Sequence, residues 1–489
     1  MKRHVAIVAV LAIATAFYAF ADETPISGLH RYSLGNGLEL FVLENHAVPL
    51  SRIQITFRCG SITQEPDTAG LFHLYEHMLF KGNSKYRTET EFSAAMTDLG
   101  VAEWNGGTST EYVTYYFTVP SDKTEAGLEF WSYAMREPLF DPAELGIEQG
   151  VVSNEINGNL SDPDRVYSAA MDKALFGKYP WRRDIGGNEA VIRSATVETL
   201  RAIQSEYYLP NNAALFVGGD VDPEAVYAMA KRWYGEWKAG ADPWKNPAPA
   251  HPTPGTETPV YLAYPDESLP EGIAYIETRY RGPDVLAEPA PTYAADVWGY
   301  LIQAPDGRFK TSVYDAVPAL YDKDYIGGYY YTQRDGGQVS FYTYCFVDPA
   351  FPLAERAKAA FKGAVVSGEV QAMVSDAAYF SDDDYSVVKR KMEDEQILNL
   401  ETPEKFIETL SFWWSVASTD YFFRYVPNMK KVQRSDIGAF LTKFVLSNVE
   451  VMAIRMNPAD FAAESESLAA AGFATVSAET AFWWKDGKK

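Results

Sequence analysis

The chain has 489 residues, of which 47% are hydrophobic, 14% aromatic and 22% charged, the balance of a folded protein and not of a disordered or collagen-like one. Its 43 Lys and Arg against 66 Asp and Glu leave a formal charge of −23, a field that repels a phosphate backbone and disfavours an anionic membrane surface, so a nucleic-acid partner is excluded. The length predicts two or more domains, and the two cysteines, Cys59 and Cys345, are too few for a disulfide framework or a Cys-rich metal site.

In chain order, Lys2, Arg3 and His4 precede an apolar run over residues 5–19, and Ala19-Phe20-Ala21 supplies small residues where a signal peptidase cuts. Residues 1–21 therefore read as a secretory signal peptide, with an uncleaved anchor as the alternative. No later run is apolar for long enough to span a bilayer, which predicts no stable membrane insertion and an exported, oxidising location, most simply a bacterial periplasm. Cys59 and Cys345 are expected as two separate buried thiols; a bridge between them is the other possibility.

Leu34-Gly35-Asn36-Gly37-Leu38 joins two alternating apolar segments, and Asn-Gly in that position predicts a hairpin. A strand over 51–58 and a helix near 68–82 follow, then helices at about 90–99, 121–137, 141–160 and 196–207. The Pro/Ala/Thr-rich stretch WKAGADPWKNPAPAHPTPGTETP has no apolar period and reads as a linker. It separates a first unit, 22–245, from a second, 259–489, with 246–258 between them. The two units end alike. SATVETLRAIQSEYYLPNNAALFVGGDVDP and KVQRSDIGAFLTKFVLSNVEVMAIRMNP each give a cap, an amphipathic helix, a turn, an alternating strand and a Pro stop. A strand over 273–280 and a helix near 290–303 repeat the earlier pair. The expected fold class is α+β: two tandem homologous units, each an antiparallel-rich sheet with helices packed mainly on one face.

The chemistry concentrates in Gly70-Leu71-Phe72-His73-Leu74-Tyr75-Glu76-His77-Met78-Leu79-Phe80. Four residues apart on a helix, His73 and His77 present their imidazoles on one face and can share a metal ion, with Glu76 beside them. His-x-x-Glu-His inverts the commoner zinc-protease order and carries the same mechanics: two neutral imidazoles hold zinc while a carboxylate takes a proton from the attacking water. With only 6 His in the chain, the pattern is rare by chance. A third ligand is needed, and His4, His30, His46 and His251 lie in the signal, the opening hairpin or the linker. Carboxylates on the helix near 141–160 are the candidates. Glu148 and Glu155, seven apart, share one face two turns apart, so Glu155 can ligate while Glu148 supports; two solvated helix glutamates are the alternative.

GLFHLYEHMLFKGN resembles the inverted-motif zinc metallopeptidases, the pitrilysin, insulin-degrading enzyme and mitochondrial processing peptidase family, and most of all its half-size bacterial members. The similarity runs on through LGVAEWNGGTSTEYVTYYF, GIEQGVVSNEING and LFGKYPWRRDIGGNEAVIRSATVETL; it is specific in the first unit and loose in the second. The resemblance implies one Zn2+ per chain held by His73, His77 and Glu155, with Glu76 as general base and Glu148 as accessory carboxylate. It also implies that Asn105, Gly106, Gly107 and Thr108 form a sheet edge on which a substrate peptide pairs as an added strand; on sequence alone these residues equally make a Gly-rich hairpin turn. Gly106 stands where the family commonly has Ala, which predicts a more flexible edge.

In the second unit the family's Arg and Tyr, seven residues apart, contact the substrate carbonyl. Here Tyr321 matches the Tyr, Tyr314 replaces the Arg and Pro318 replaces a Gly, so a fixed positive charge is missing. The resemblance further implies that two units form one half of a clam-like chamber, completed by a second chain. A related subunit bearing the Arg/Tyr pair, hence a heterodimer, is expected ahead of a homodimer. The expected activity is zinc endopeptidase cleavage of unfolded peptides; the other reading is a non-catalytic assembly or peptide-binding subunit of the same family.

Overall fold

Alternation of apolar and polar residues sets the strands, and the strands set where the motif helix can sit. In the computed structural model, which describes residues 26–252 and 259–486, β1 (Leu29–Ser33) and β2 (Glu39–Glu44) pair antiparallel with Ser33 opposite Glu39. The predicted Asn-Gly turn closes this hairpin: Leu34 N–H donates to the Leu38 carbonyl at 2.9 Å, and Gly37 takes φ +88°, a conformation that Gly adopts without a Cβ penalty. The predicted signal at 1–21 lies outside the described residues, as does the linker segment 253–258.

The first unit continues with β3 (Leu50–Phe57), β4 (Glu103–Thr108), β5 (Val113–Pro120) and β6 (Ala213–Gly219), in the order β1-β2-β6-β3-β5-β4. The second has β7 (Val260–Pro265), β8 (Ile273–Arg281), β9 (Gly327–Tyr331), β10 (Gln338–Phe346), β11 (Val451–Met456) and β12 (Ala474–Thr475), in the order β12-β7-β11-β8-β10-β9. Five strands correspond one to one. β2 with β6 and β7 with β11 are the parallel pairs, and the pairs from there out to β4 and to β9 are antiparallel. The duplication read from the unit ends is therefore present in the topology, and only the strand beyond β2 or β7 differs.

Helices Glu89–Asp98, Thr124–Arg136, Pro142–Asn159 and Val197–Tyr207 lie within three residues of the predicted spans. Side chains of Thr88, Asp141 and Thr196 cap three of them, satisfying N–H groups that have no partner inside the helix. One face of each sheet buries its unit's main core, which includes Ile53, Ile55, Phe117 and Trp131 in the first and Ile276, Trp298, Phe341 and Ile454 in the second.

Each unit's own helices lie mainly on that face, as expected, and the second faces are covered by an exchange of helices between the units. Phe406, Ile407, Leu410 and Trp414 of helix Pro403–Val416 pack on Phe41, Ala214 and Phe216 of the first sheet. In return, Val166, Tyr167 and Met171 of helix Pro163–Leu175 pack on Tyr264, Val451 and Ala453 of the second. Each fully buried side chain of this size contributes about 1.5–3 kcal/mol, so the two units are held as one body. The linker joins in: Arg182 Nη1 donates to the Pro249 carbonyl at 2.7 Å, and the buried His251 ring lies 2.9 Å from Asp335.

Cys59 and Cys345 are unbonded and buried in different cores, which removes the bridge. Burial pushes the Cys59 thiol up and that of Cys345 to about 12. Among the described residues no helix is long and apolar enough to cross a membrane.

Candidate active site

The motif helix, Leu71–Leu79, starts at Gly70, which takes φ +93°. A Cβ there would meet the Gly186 carbonyl at 2.5 Å, so both the turn and the close approach require Gly. Gly70 N–H is received by Gln64 Oε1 at 2.7 Å. Leu71, Phe72, Leu74, Tyr75, Met78 and Leu79 face the core, which leaves His73, Glu76 and His77 on the opposite, half-buried side.

Helix Pro142–Asn159 packs against this side, and Leu145, Val152 and Ile156 anchor it in the core. His73 Nε2 lies 3.6 Å and His77 Nε2 3.8 Å from Glu155 Oε2. Ligand atoms of the three residues fall within 4.8 Å of one another. A tetrahedral ion with bonds of about 2.0–2.1 Å spaces its ligands about 3.3 Å apart, so this donor set fits zinc with small side-chain adjustments. The proton inventory agrees. His77 Nδ1 is 2.9 Å from Glu148 Oε2, and since a carboxylate only accepts, Nδ1 is the donor there and Nε2 is the nitrogen left to ligate. Burial, aided by the neighbouring His77, pulls His73 down to about 4, so it is a neutral donor at physiological pH.

Glu148 is 4% exposed, and its other oxygen lies 3.0 Å from Lys81 Nζ. Glu76 sits beside the cluster and receives the Thr108 hydroxyl on Oε2 at 2.8 Å. Burial raises the Glu76 carboxyl, partly opposed by the Thr108 hydrogen bond and by His77. Thr108 ends β4, the terminal strand of the first sheet, so Asn105, Gly106, Gly107 and Thr108 lie on a sheet edge that has no further strand among the described residues. Gly106 is also required by packing. A Cβ on it would lie 2.8 Å from the Phe80 ring and 3.1 Å from Tyr115, whereas Gly107 faces open space. Phe80 occupies the room a side chain would need.

Tyr321 lies in the second unit, 42% exposed, with its ring against Tyr325 and Phe346 and its N–H donated to the Tyr344 carbonyl. Among the described residues, none of its contacts reaches the histidine cluster. Tyr314 is also exposed, on helix Arg308–Ala316. Sequence reading assigned no role to Lys81 and gave Thr108 only an edge role. The spacing of Lys81, one turn beyond His77, was the available signal for the first; nothing in the sequence marked the second.

The family description Insulinase (Peptidase family M16) matches residues 40–188, and Peptidase M16 inactive domain matches 194–362. The uncharacterized zinc protease YmxG of Bacillus subtilis is 28% identical over 211 residues, 43% of this chain and 51% of YmxG. Human insulin-degrading enzyme is 29% identical over 207 residues, 40% of this chain and 20% of that enzyme. The chain thus spans about half of YmxG and a fifth of human insulin-degrading enzyme. Among solved structures, the first half of the periplasmic protease PqqL from Escherichia coli superposes with a TM-score of 0.71 at 15% identity, covering 93% of this chain and 97% of that one.

Proposed function

Because the chain belongs to the insulinase family of M16 peptidases, we propose that it is a zinc endopeptidase acting on unfolded peptides, and the catalytic subunit of a dimer. The convergence of His73, His77 and Glu155 beside Glu76 carries this reading. His73, His77 and Glu155 would hold the zinc, which when bound would supply Lewis acidity toward the scissile carbonyl and the attacking water. Glu76 takes the proton of the attacking water and returns it to the departing amine. Its buried position raises its affinity for that proton. The free edge of β4 receives the substrate backbone as an added strand, which reads main chain more than side chains and suits unfolded peptides. Glu148 fixes the His77 ring.

The M16 inactive-domain description covers 194–362, which lies outside the motif helix and the Glu155 helix; it does not argue against catalysis in the first unit. Secretion into the periplasm follows from the signal-like residues 1–21. Tyr314, standing where the family has Arg, supplies no positive charge, which supports a related subunit that brings an Arg/Tyr pair and completes the chamber, with a second copy of this chain as the other arrangement. The test is hydrolysis of a quenched fluorescent peptide by zinc-loaded protein. Glu76→Gln should lower turnover by about 10²–10⁴ while keeping zinc, and a related Arg/Tyr-bearing subunit should raise wild-type turnover by about 10²–10³. Unchanged turnover in Glu76→Gln would overturn the catalytic reading; full activity of a homodimer would overturn the heterodimer.

A further inference from the structure

The motif helix and helix Pro142–Asn159 face each other along a ladder of polar contacts with one rung more than the zinc chemistry uses. His73 meets Glu155, His77 meets both Glu155 and Glu148, and Lys81, one turn beyond His77, meets Glu148. Positions 73 and 77 are successive turns of one helix face, Lys81 follows in the turn that closes the helix with its N–H donated to the Met78 carbonyl at 3.2 Å, and 148 and 155 are two turns of the other helix.

Glu148 is the unusual member. It is a nearly inaccessible carboxylate whose ion-pair partners among the described residues are His77 and Lys81. The His77 ring is neutral when it acts as a ligand, so it gives Glu148 a hydrogen bond and no charge. A buried carboxylate without a cation is strongly disfavoured, and Lys81 provides that cation at 3.0 Å. Lys81 is itself held. Its side chain is 16% exposed, and Nζ also lies 3.0 Å from Glu89 Oε1 at the start of helix Glu89–Asp98. The ammonium therefore sits between an outer and an inner carboxylate. With one oxygen on Lys81 and the other on His77 Nδ1, the Glu148 carboxylate cannot rotate without breaking a contact.

We propose that Lys81 is a positioning residue for the metal centre, acting through Glu148 to lock the His77 imidazole in the orientation and tautomer that ligate zinc. The inference rests on the zinc-site reading above. Loss of such an outer contact to a histidine ligand typically weakens metal binding by about 10–100-fold.

The test measures zinc affinity by competition with a chromogenic chelator, on the full chain, for wild type, Lys81→Met, Lys81→Arg, Glu148→Gln and the Lys81→Met/Glu148→Gln double variant. Lys81→Met keeps the aliphatic stem and removes the charge; it should weaken zinc by about 10–100-fold. Lys81→Arg should recover to within about threefold of wild type, since it restores a cation toward the carboxylate. In the Glu148→Gln background, Lys81→Met should add no further loss, because the group it positions is no longer a carboxylate. Melting of the metal-free proteins identifies any variant that fails to fold, and Lys81→Gln replaces Lys81→Met in that event. Wild-type affinity in Lys81→Met, or an equal loss in both backgrounds, overturns the proposal. Absence of zinc binding by wild type overturns the site itself, a distinct outcome.

Discussion

Replacing Glu111 by Gln tests how the two units are joined. Glu111 lies in the turn between β4 and β5, is 1% exposed, and accepts the N–H of Asp335 from the second unit at 3.1 Å. Desolvation raises its carboxyl from 4.5 to about 7, although backbone hydrogen bonds at residues 334 and 335 and the charges of Arg183 and Arg334 oppose the shift. The fold therefore prefers the neutral acid. Stability from this group is fully present below its unfolded value and is lost as pH rises through about 7. At about 1.36 kcal/mol per pH unit, the loss is on the order of 3 kcal/mol. Gln resembles the neutral acid and keeps an acceptor for Asp335. The variant should match wild type near pH 4.5 and exceed it by about 1–3 kcal/mol at pH 8. Urea unfolding of metal-stripped protein, followed by tryptophan fluorescence, measures this difference; ionisation of the histidine cluster is common to both proteins and cancels. A difference that is the same at both pH values, or a variant less stable at pH 8, would refute the argument.

Glu155→Gln should lose most zinc affinity because it removes a ligand, whereas Glu148→Gln should lose about 10–100-fold and leave detectable binding; equal, full occupancy in both by metal analysis would undo the division of roles. Gly106→Ala places a methyl 2.8 Å from the Phe80 ring, so it should cost about 1–3 kcal/mol of stability and lower turnover by moving β4 off the motif helix. Pairing it with Phe80→Leu should restore most of both in thermal melts and peptide assays. A Gly106→Ala variant as stable as wild type would show that the Phe80 ring yields freely.

What the sequence made legible follows from which interactions are local. The motif helix, its two histidines and Glu76 are set by a single helical face, and the opening hairpin by one Asn-Gly turn, so both were readable from spacing. Glu155 emerged by eliminating histidines and from its place seven residues after Glu148; the structure brings it to 3.6 Å from His73 Nε2. The exchange of helices was not legible. The apolar face of residues 163–175 announces that something covers it, but the covering sheet begins almost a hundred residues later. Gly106 was half legible for a related reason: its missing side chain is visible in the sequence, but the Phe80 ring that fills that space appears only in the packed structure. Lys81 stood one turn past His77 in plain sight, yet its meaning depends on Glu148, which lies on another helix.

The measurement that bears most directly on the account is an anomalous difference map from crystals of the protein grown with zinc, recorded above the zinc absorption edge. A single peak per chain, bounded by Nε2 of His73, Nε2 of His77 and a carboxylate oxygen of Glu155, with Glu76 alongside but not coordinated, is the predicted result. A peak that excludes any of the three, direct coordination by Glu76 or Glu148, or no peak at millimolar zinc would contradict it.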